Sequence, residues 1–305
     1  MNTEKLLGHL SIAAAYTIFG LNIVFNKDIA NSNSVSPIVL FTLRAAGASL
    51  IFFLISAFLP KEKVEKGDFP KIAAASMLGL FIPQFTFLKA ITIATPIDAA
   101  IMSTLGPIFT MIFAFFFLKE PITFKKAGGV AVSFAGVLLL IFNSVHSGGP
   151  GSSSPAGIAL LLLNCLSFSV YLGLFRPVIS KYSVVTFMKW SFLFSLIVSL
   201  PFSAKGLITT DFTAISPTVL WEIAYLIIFA TCCAYFLIPF GQKRIRPTLV
   251  SMYTYLQPLI ASIISIYAGL DTFGWQKALA TVLIVGGVIL VSKSKSAGSQ
   301  TTHSK

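Results

Sequence analysis

Ten stretches of about twenty mostly apolar residues occupy nearly the whole chain, near 6–28, 37–59, 70–90, 97–118, 124–142, 156–178, 185–204, 219–241, 248–269 and 274–292. A helix of ~20 such residues crosses the hydrocarbon of a bilayer. None of the stretches alternates with period two, which disfavours an outer-membrane barrel. Composition points the same way: 56% of the 305 residues are apolar, 29 are Phe and only 10% are charged, against roughly 25% charged in a soluble domain. So few charges cannot cover so much apolar surface in water. A soluble enzyme, a nucleic-acid-binding domain and a disordered chain are therefore excluded, and the expected fold class is an all-α membrane protein of ten transmembrane helices. The first stretch runs on past Ala13, Ala14 and Ala15, so it reads as a retained span and not a cleaved signal.

The net charge of +12 has a topological reading. With the N-terminus in the cytoplasm, sixteen Lys and Arg residues fall in inside links or tails, and only Lys27, Lys89, Lys205 and Lys277 fall outside. Cations orient membrane proteins by staying inside, so both termini are expected in the cytoplasm of a cell membrane (the inner membrane in a bacterium). Arg44 and Lys189 lie within spans.

A Gly/Ser/Pro-rich segment at 143–155 reads as a flexible external linker. It separates a first five-span unit, 1–142, from a second, 156–292, with a cytoplasmic tail at 293–305. The units match at an offset of 151 residues: Pro96 on Pro247, Leu105 on Leu256, Pro107 on Pro258, Lys126 on Lys277 and Gly136 on Gly287. Because five is odd, the second unit enters the membrane inverted. The charges agree, since the 119–121 link carries a cation, Lys119, while its counterpart at 270–272 carries none. Two inverted five-helix repeats with mid-span prolines are the architecture of secondary transporters.

The run AITIATPIDAA at 90–100, then Leu105, Gly106 and Pro107, the run FLKEPIT at 117–123, and Gly128, Gly129 and Gly136 resemble the EamA-type repeat of the drug/metabolite transporter superfamily. The second half resembles it through Pro247, Gln257, Pro258, Gly286 and Gly287, and the first span departs from the usual Trp-Gly with Phe19 and Gly20. The resemblance spans about 6–292. It implies export of amino acids, drugs or other metabolites, with cargo varying widely among relatives. It also implies, together with the polar residues below, a central cavity lined by spans one, three, four, six, eight and nine.

Polar side chains within spans are costly unless they meet a cavity or a partner. Asn22 and Asn26 stand one turn apart, either as cavity wall or as interhelical hydrogen bonds. Gln84 follows Pro83 and Gln257 precedes Pro258. Each can contact cargo or repair the backbone that its proline disturbs. Tyr255, two residues from Gln257, is the favoured aromatic candidate, and Tyr171, one heptad from Asn164, is a second. Tyr253, Trp190 and Phe85 fit packing or interfacial belts equally well. Substrate-binding candidates are thus Asn22, Gln84, Tyr171, Tyr255 and Gln257, and Pro107 and Pro258 are expected to break their helices. Lys189 can snorkel. Arg44 lies deeper, with a structural role favoured over attraction of an anion, and it matches an Arg of the family's second span.

The only acids near hydrocarbon, Asp98 and Glu222, sit at span ends, and His9 lies at an inner interface. No deep titratable group marks proton coupling, so a proton or a counter-substrate remains a candidate partner and facilitation or exchange stays open. No Walker-type loop supplies an ATP motor. Cys165, Cys232 and Cys233 have neither disulfide nor metal spacing, so no metal or cofactor is expected. No Gly-x-Ser-x-Gly, paired-Asp or His-Glu-x-x-His pattern supports an intramembrane enzyme. The expected partners are a small-molecule substrate and the lipid bilayer, without nucleic acid. The reading is a carrier of small metabolites, amino acids or their kin, working by alternating access. Drugs or sugar derivatives are the alternative cargo, and an intramembrane enzyme or a receptor is the remote alternative.

Overall fold

The computed structural model describes residues 3–93, 105–118, 123–146, 155–257, 259–260 and 275–292. These residues are helical throughout, joined by short links, with no strand among them. Five helices are long and apolar enough to cross a membrane: α1 (Thr3–Ser32), α2 (Pro37–Ala57), α3 (Lys66–Ile93), α7 (Val184–Thr209) and α8 (Pro217–Gln242). Between and after them lie α4 (Gly106–Leu118), α5 (Phe124–His146), α6 (Pro155–Leu174), α9 (Pro247–Met252) and α10 (Trp275–Ser292). α5 continues through residues 143–146, so the first part of the expected linker is helical.

Local chemistry sets several boundaries. Pro37 and Pro217 stand in the first turns of α2 and α8, where a missing N–H costs nothing. Ser183 and Ser216 cap α7 and α8 by accepting from the Thr186 and Val219 amides, satisfying donors a helix start leaves open. Pro83 and Pro239, by contrast, lie inside helices. Pro83 deprives the Gly79 carbonyl of its partner, and the backbone widens there into a π-helical turn, Met77–Phe81. α8 widens likewise over Leu226–Cys233. The two π segments overlap when one is shifted by 151 residues, so both halves of the chain carry the same irregularity.

α2 packs on α7, α3 and α4 pack on α6, α1 packs on α8, and α5 packs on α10. Each of these pairs joins the first half to the second. One core cluster gathers Ile12, Phe52, Ile72, Phe192 and Ile238 from both halves. At one end of the bundle, polar links tie together the α2–α3, α6–α7 and α8–α9 connections. Asp68 accepts from Lys181 (2.6 Å), Lys71 (2.7 Å) and the Tyr182 hydroxyl (2.6 Å). Glu62 accepts from the Ser183 hydroxyl (2.6 Å), and Lys243 donates to the Tyr182 carbonyl. Hydrogen bonds to Asp68 and then Glu65 hold the Lys181 ammonium above its ordinary pKa. Burial raises the Glu62 pKa, but hydrogen bonds from Ser183 and Thr186 more than offset it, leaving the carboxyl below its ordinary value.

Candidate functional site

Where the two halves meet, the helices leave a cavity of about 190 Å³. α1 contributes Tyr16, Phe19, Asn22 and Ile23, and α2 contributes Arg44. Pro83, Gln84 and Phe87 come from α3, and Gly106 and Thr110 from α4. The second half supplies Asn164, Cys165, Phe168 and Ser169 of α6, Tyr235 of α8, and Ser251, Thr254 and Gln257 on and after α9. Gly106 and Gln257, 151 residues apart, occupy matching stations, as do Gln84 and Tyr235. Glycine opens on one side the space that an amide fills on the other.

The wall carries hydrogen-bonding capacity that the protein leaves unused. Tyr16 Oη, Asn22 Oδ1, Thr110 Oγ1 and both amide atoms of Gln84 are buried and complete no hydrogen bond of good geometry, although Tyr16 faces Thr254 and Gln84 faces Tyr235. Each such group costs ~1–3 kcal/mol when buried alone, and satisfied polar atoms are the rule in folded proteins. Lining one cavity, these five atoms are donors and acceptors with which a polar ligand could pair.

Of the expected residues, Asn22, Gln84 and Gln257 stand in this wall. Gln84 makes no hydrogen bond to the backbone that its proline disturbs; separately, Asn164 Nδ2 donates to the Pro83 carbonyl at 2.6 Å, as does the Thr86 hydroxyl. Asn26 turns away and donates to the Asn22 carbonyl. Tyr171 is buried behind the wall, stacked on Phe168, with its ring filling the space over Gly79. Tyr255 is fully buried on a single 3₁₀ turn and does not border the cavity. Pro107 is the second residue of α4, where it costs no hydrogen bond, and residues 94–104 of its span lie outside the described ones. Pro258 and Asp98 lie outside the described residues.

His9 pairs with the Tyr253 hydroxyl at 2.8 Å. Lys189 donates to Ser56 and lies over the Phe53 and Trp190 rings. Glu222 is buried at the start of α8, away from the cavity. The sequence did not single out Thr110, Tyr235, Ser251 or Thr254, because one hydroxyl on an apolar helix gives no signal of the direction it faces.

A family model for EamA-like transporters matches this chain twice, over residues 6–142 and 155–293. The chain belongs to the EamA-like transporter family. It is thus a multi-pass membrane transporter built from two EamA repeats. The uncharacterized inner membrane transporter YicL of Salmonella typhimurium is 26% identical, over 93% of this chain and 95% of its own length. The uncharacterized transporter YetK of Bacillus subtilis is 24% identical, over 96% and 89%. An uncharacterized transporter of Archaeoglobus fulgidus is 27% identical, but the match covers only 57% of this chain and 60% of that protein. A crystal structure superposes with a TM-score of 0.76 at 18% identity, covering 95% of this chain and 98% of that one; the likeness shows the fold. The cavity lies between the two EamA repeats.

Proposed function

We propose that this EamA transporter exports small metabolites, amino acids or compounds like them, by alternating access in a cell membrane. In this reading ten spans form two inverted five-helix halves, and both termini are cytoplasmic. The halves rock about the central cavity, so that cargo meets first one face of the membrane and then the other. The observation that carries the reading is the cavity between the repeats, with its unpaired Asn22, Gln84 and Thr110 groups set among aromatic walls. A cargo with polar ends and an apolar body would satisfy both surfaces at once, offsetting the water it sheds. Its volume suits a molecule the size of an amino acid.

Purified protein in liposomes, offered a panel of labelled amino acids with and without a pH gradient, tests the proposal. Counterflow of at least one amino acid above protein-free liposomes is the expected result. Absence of flux across the panel would remove amino acids as cargo. Flux that ignores the pH gradient would assign facilitation or exchange.

A further inference from the structure

Arg44 is 3% exposed, deep in α2, and its side chain borders the cavity. Its Nε donates to Thr231 Oγ1 at 2.8 Å, and that hydroxyl passes the bond on to the Leu226 carbonyl at 2.7 Å, inside the α8 π segment. Its terminal nitrogens reach no carboxylate among the described residues, and no other described wall residue is charged. An ionic group held this way costs several kcal/mol unless something compensates its charge, and an ionisable group within a membrane is by default a functional one.

Helix packing does not account for the charge. The station equivalent to Arg44 in the second half, 151 residues on, is Ser195 of α7. Its hydroxyl shares a hydrogen bond with Ser76 of α3 at 2.7 Å. A neutral serine thus makes from α7 to α3 the tie that Arg44 makes from α2 to α8. The guanidinium is the part of Arg44 this tie does not require, and it sits at the cavity.

We infer that Arg44 is the cargo's counter-charge and that the site selects a solute with one carboxylate on an apolar body. This rests on the carrier reading above and narrows it. A guanidinium presents parallel donors matched to a carboxylate. A doubly charged phosphate would leave one charge unmatched in a site of low polarity. No described wall carboxylate stands ready for an ammonium group, which would meet only neutral acceptors such as Asn22 Oδ1 and Gln84 Oε1. The carboxylate is therefore required and the amino group is dispensable.

Binding to the purified full chain, read by calorimetry and thermal shift, compares leucine, 4-methylpentanoate and 3-methylbutylamine. These share a branched apolar body and differ in their charged groups. Both carboxylates should bind, and the amine at least about tenfold more weakly, a difference of ~1.4 kcal/mol. Arg44→Gln should abolish that preference, while Arg44→Lys should keep it at reduced affinity. If Arg44→Gln does not fold, the three-probe series on the unaltered protein still decides. Amine binding as tight as that of the carboxylates, binding of none of the three, or an unchanged preference in Arg44→Gln would overturn the inference. Carboxylate binding that depends on Arg44, without leucine flux in liposomes, would instead remove leucine as cargo and leave the role of Arg44 standing.

Discussion

The Ser133 hydroxyl donates to the Ile284 carbonyl at 3.2 Å, and the two residues are separated by 151 positions, the offset that superposes the two halves of the sequence. Residues that are equivalent and also touch lie on an axis of internal two-fold symmetry. The α5–α10 pair is therefore where the repeats meet themselves. Gly129 and Gly287 make the approach possible: a Cβ on Gly287 would strike Ser133 and the Gly129 carbonyl, and one on Gly129 would strike Val291 and the Gly287 carbonyl. Small residues at such crossings are how membrane helices approach closely.

Gly287→Val should wedge the pair apart and destabilise the protein by ~1–3 kcal/mol, the usual range for overpacking. Ser133→Ala removes only an interhelical hydrogen bond, worth about 0.6 kcal/mol on average in a membrane protein. Thermal unfolding in detergent should rank Gly287→Val well below Ser133→Ala, and equal melting points would refute the close crossing.

For Gln84 the expected effects on stability and binding have opposite signs. Both of its amide atoms are buried without a completed hydrogen bond, so Gln84→Leu relieves part of a ~1–3 kcal/mol penalty and should raise the melting temperature of the empty protein. The same change should weaken cargo binding by about tenfold, the value of one hydrogen bond. Gln257→Leu should weaken binding similarly. A Gln84→Leu protein that melts lower than the parent would show that the amide has a partner within the protein.

The polar links around Asp68 tie together the connections at one end of the bundle, and Asp68→Ala removes the acceptor for Lys71, Lys181 and Tyr182 together. In a protein freed of its own cysteines, a cysteine at Ser251 in the cavity wall should then react several times faster with a maleimide supplied from that end. The Glu62 contribution follows its lowered pKa: it is complete above the ordinary glutamate value and is lost as pH falls through the depressed one. Labelling should therefore stay slow from neutral to mildly acidic pH. Acceleration near the ordinary glutamate pKa would refute the Glu62 part.

Orientation is testable in cells. In the same background, a cysteine at Ser152 should react with an impermeant maleimide from outside and one at Lys63 should not, as the sixteen-to-four cation bias requires. The reverse pattern would invert the proposed topology.

Hydrophobic stretches, their cation-rich links and the 151-residue offset make the membrane class, the helical fold and the repeats legible without coordinates. Backbone groups in lipid leave a helix little alternative, so these properties are local. The cavity is a different case. Asn22, Gln84 and Gln257 could be singled out because an amide in a span is conspicuous, but among the tyrosines the sequence pointed to Tyr255 and Tyr171 and gave no signal for Tyr235. Only packing decided that the Tyr171 ring fills the gap over Gly79 while Tyr235 faces the cavity. Pro83 announced an irregular helix, yet the π turn in α8 carries no such mark, and the amide that bonds the Pro83 carbonyl comes from Asn164 in the other half. Which face of a helix is buried, and against what, depends here on residues eighty or more positions away. Composition reports the solvent around each helix, and tertiary structure decides which of its side chains meet one another.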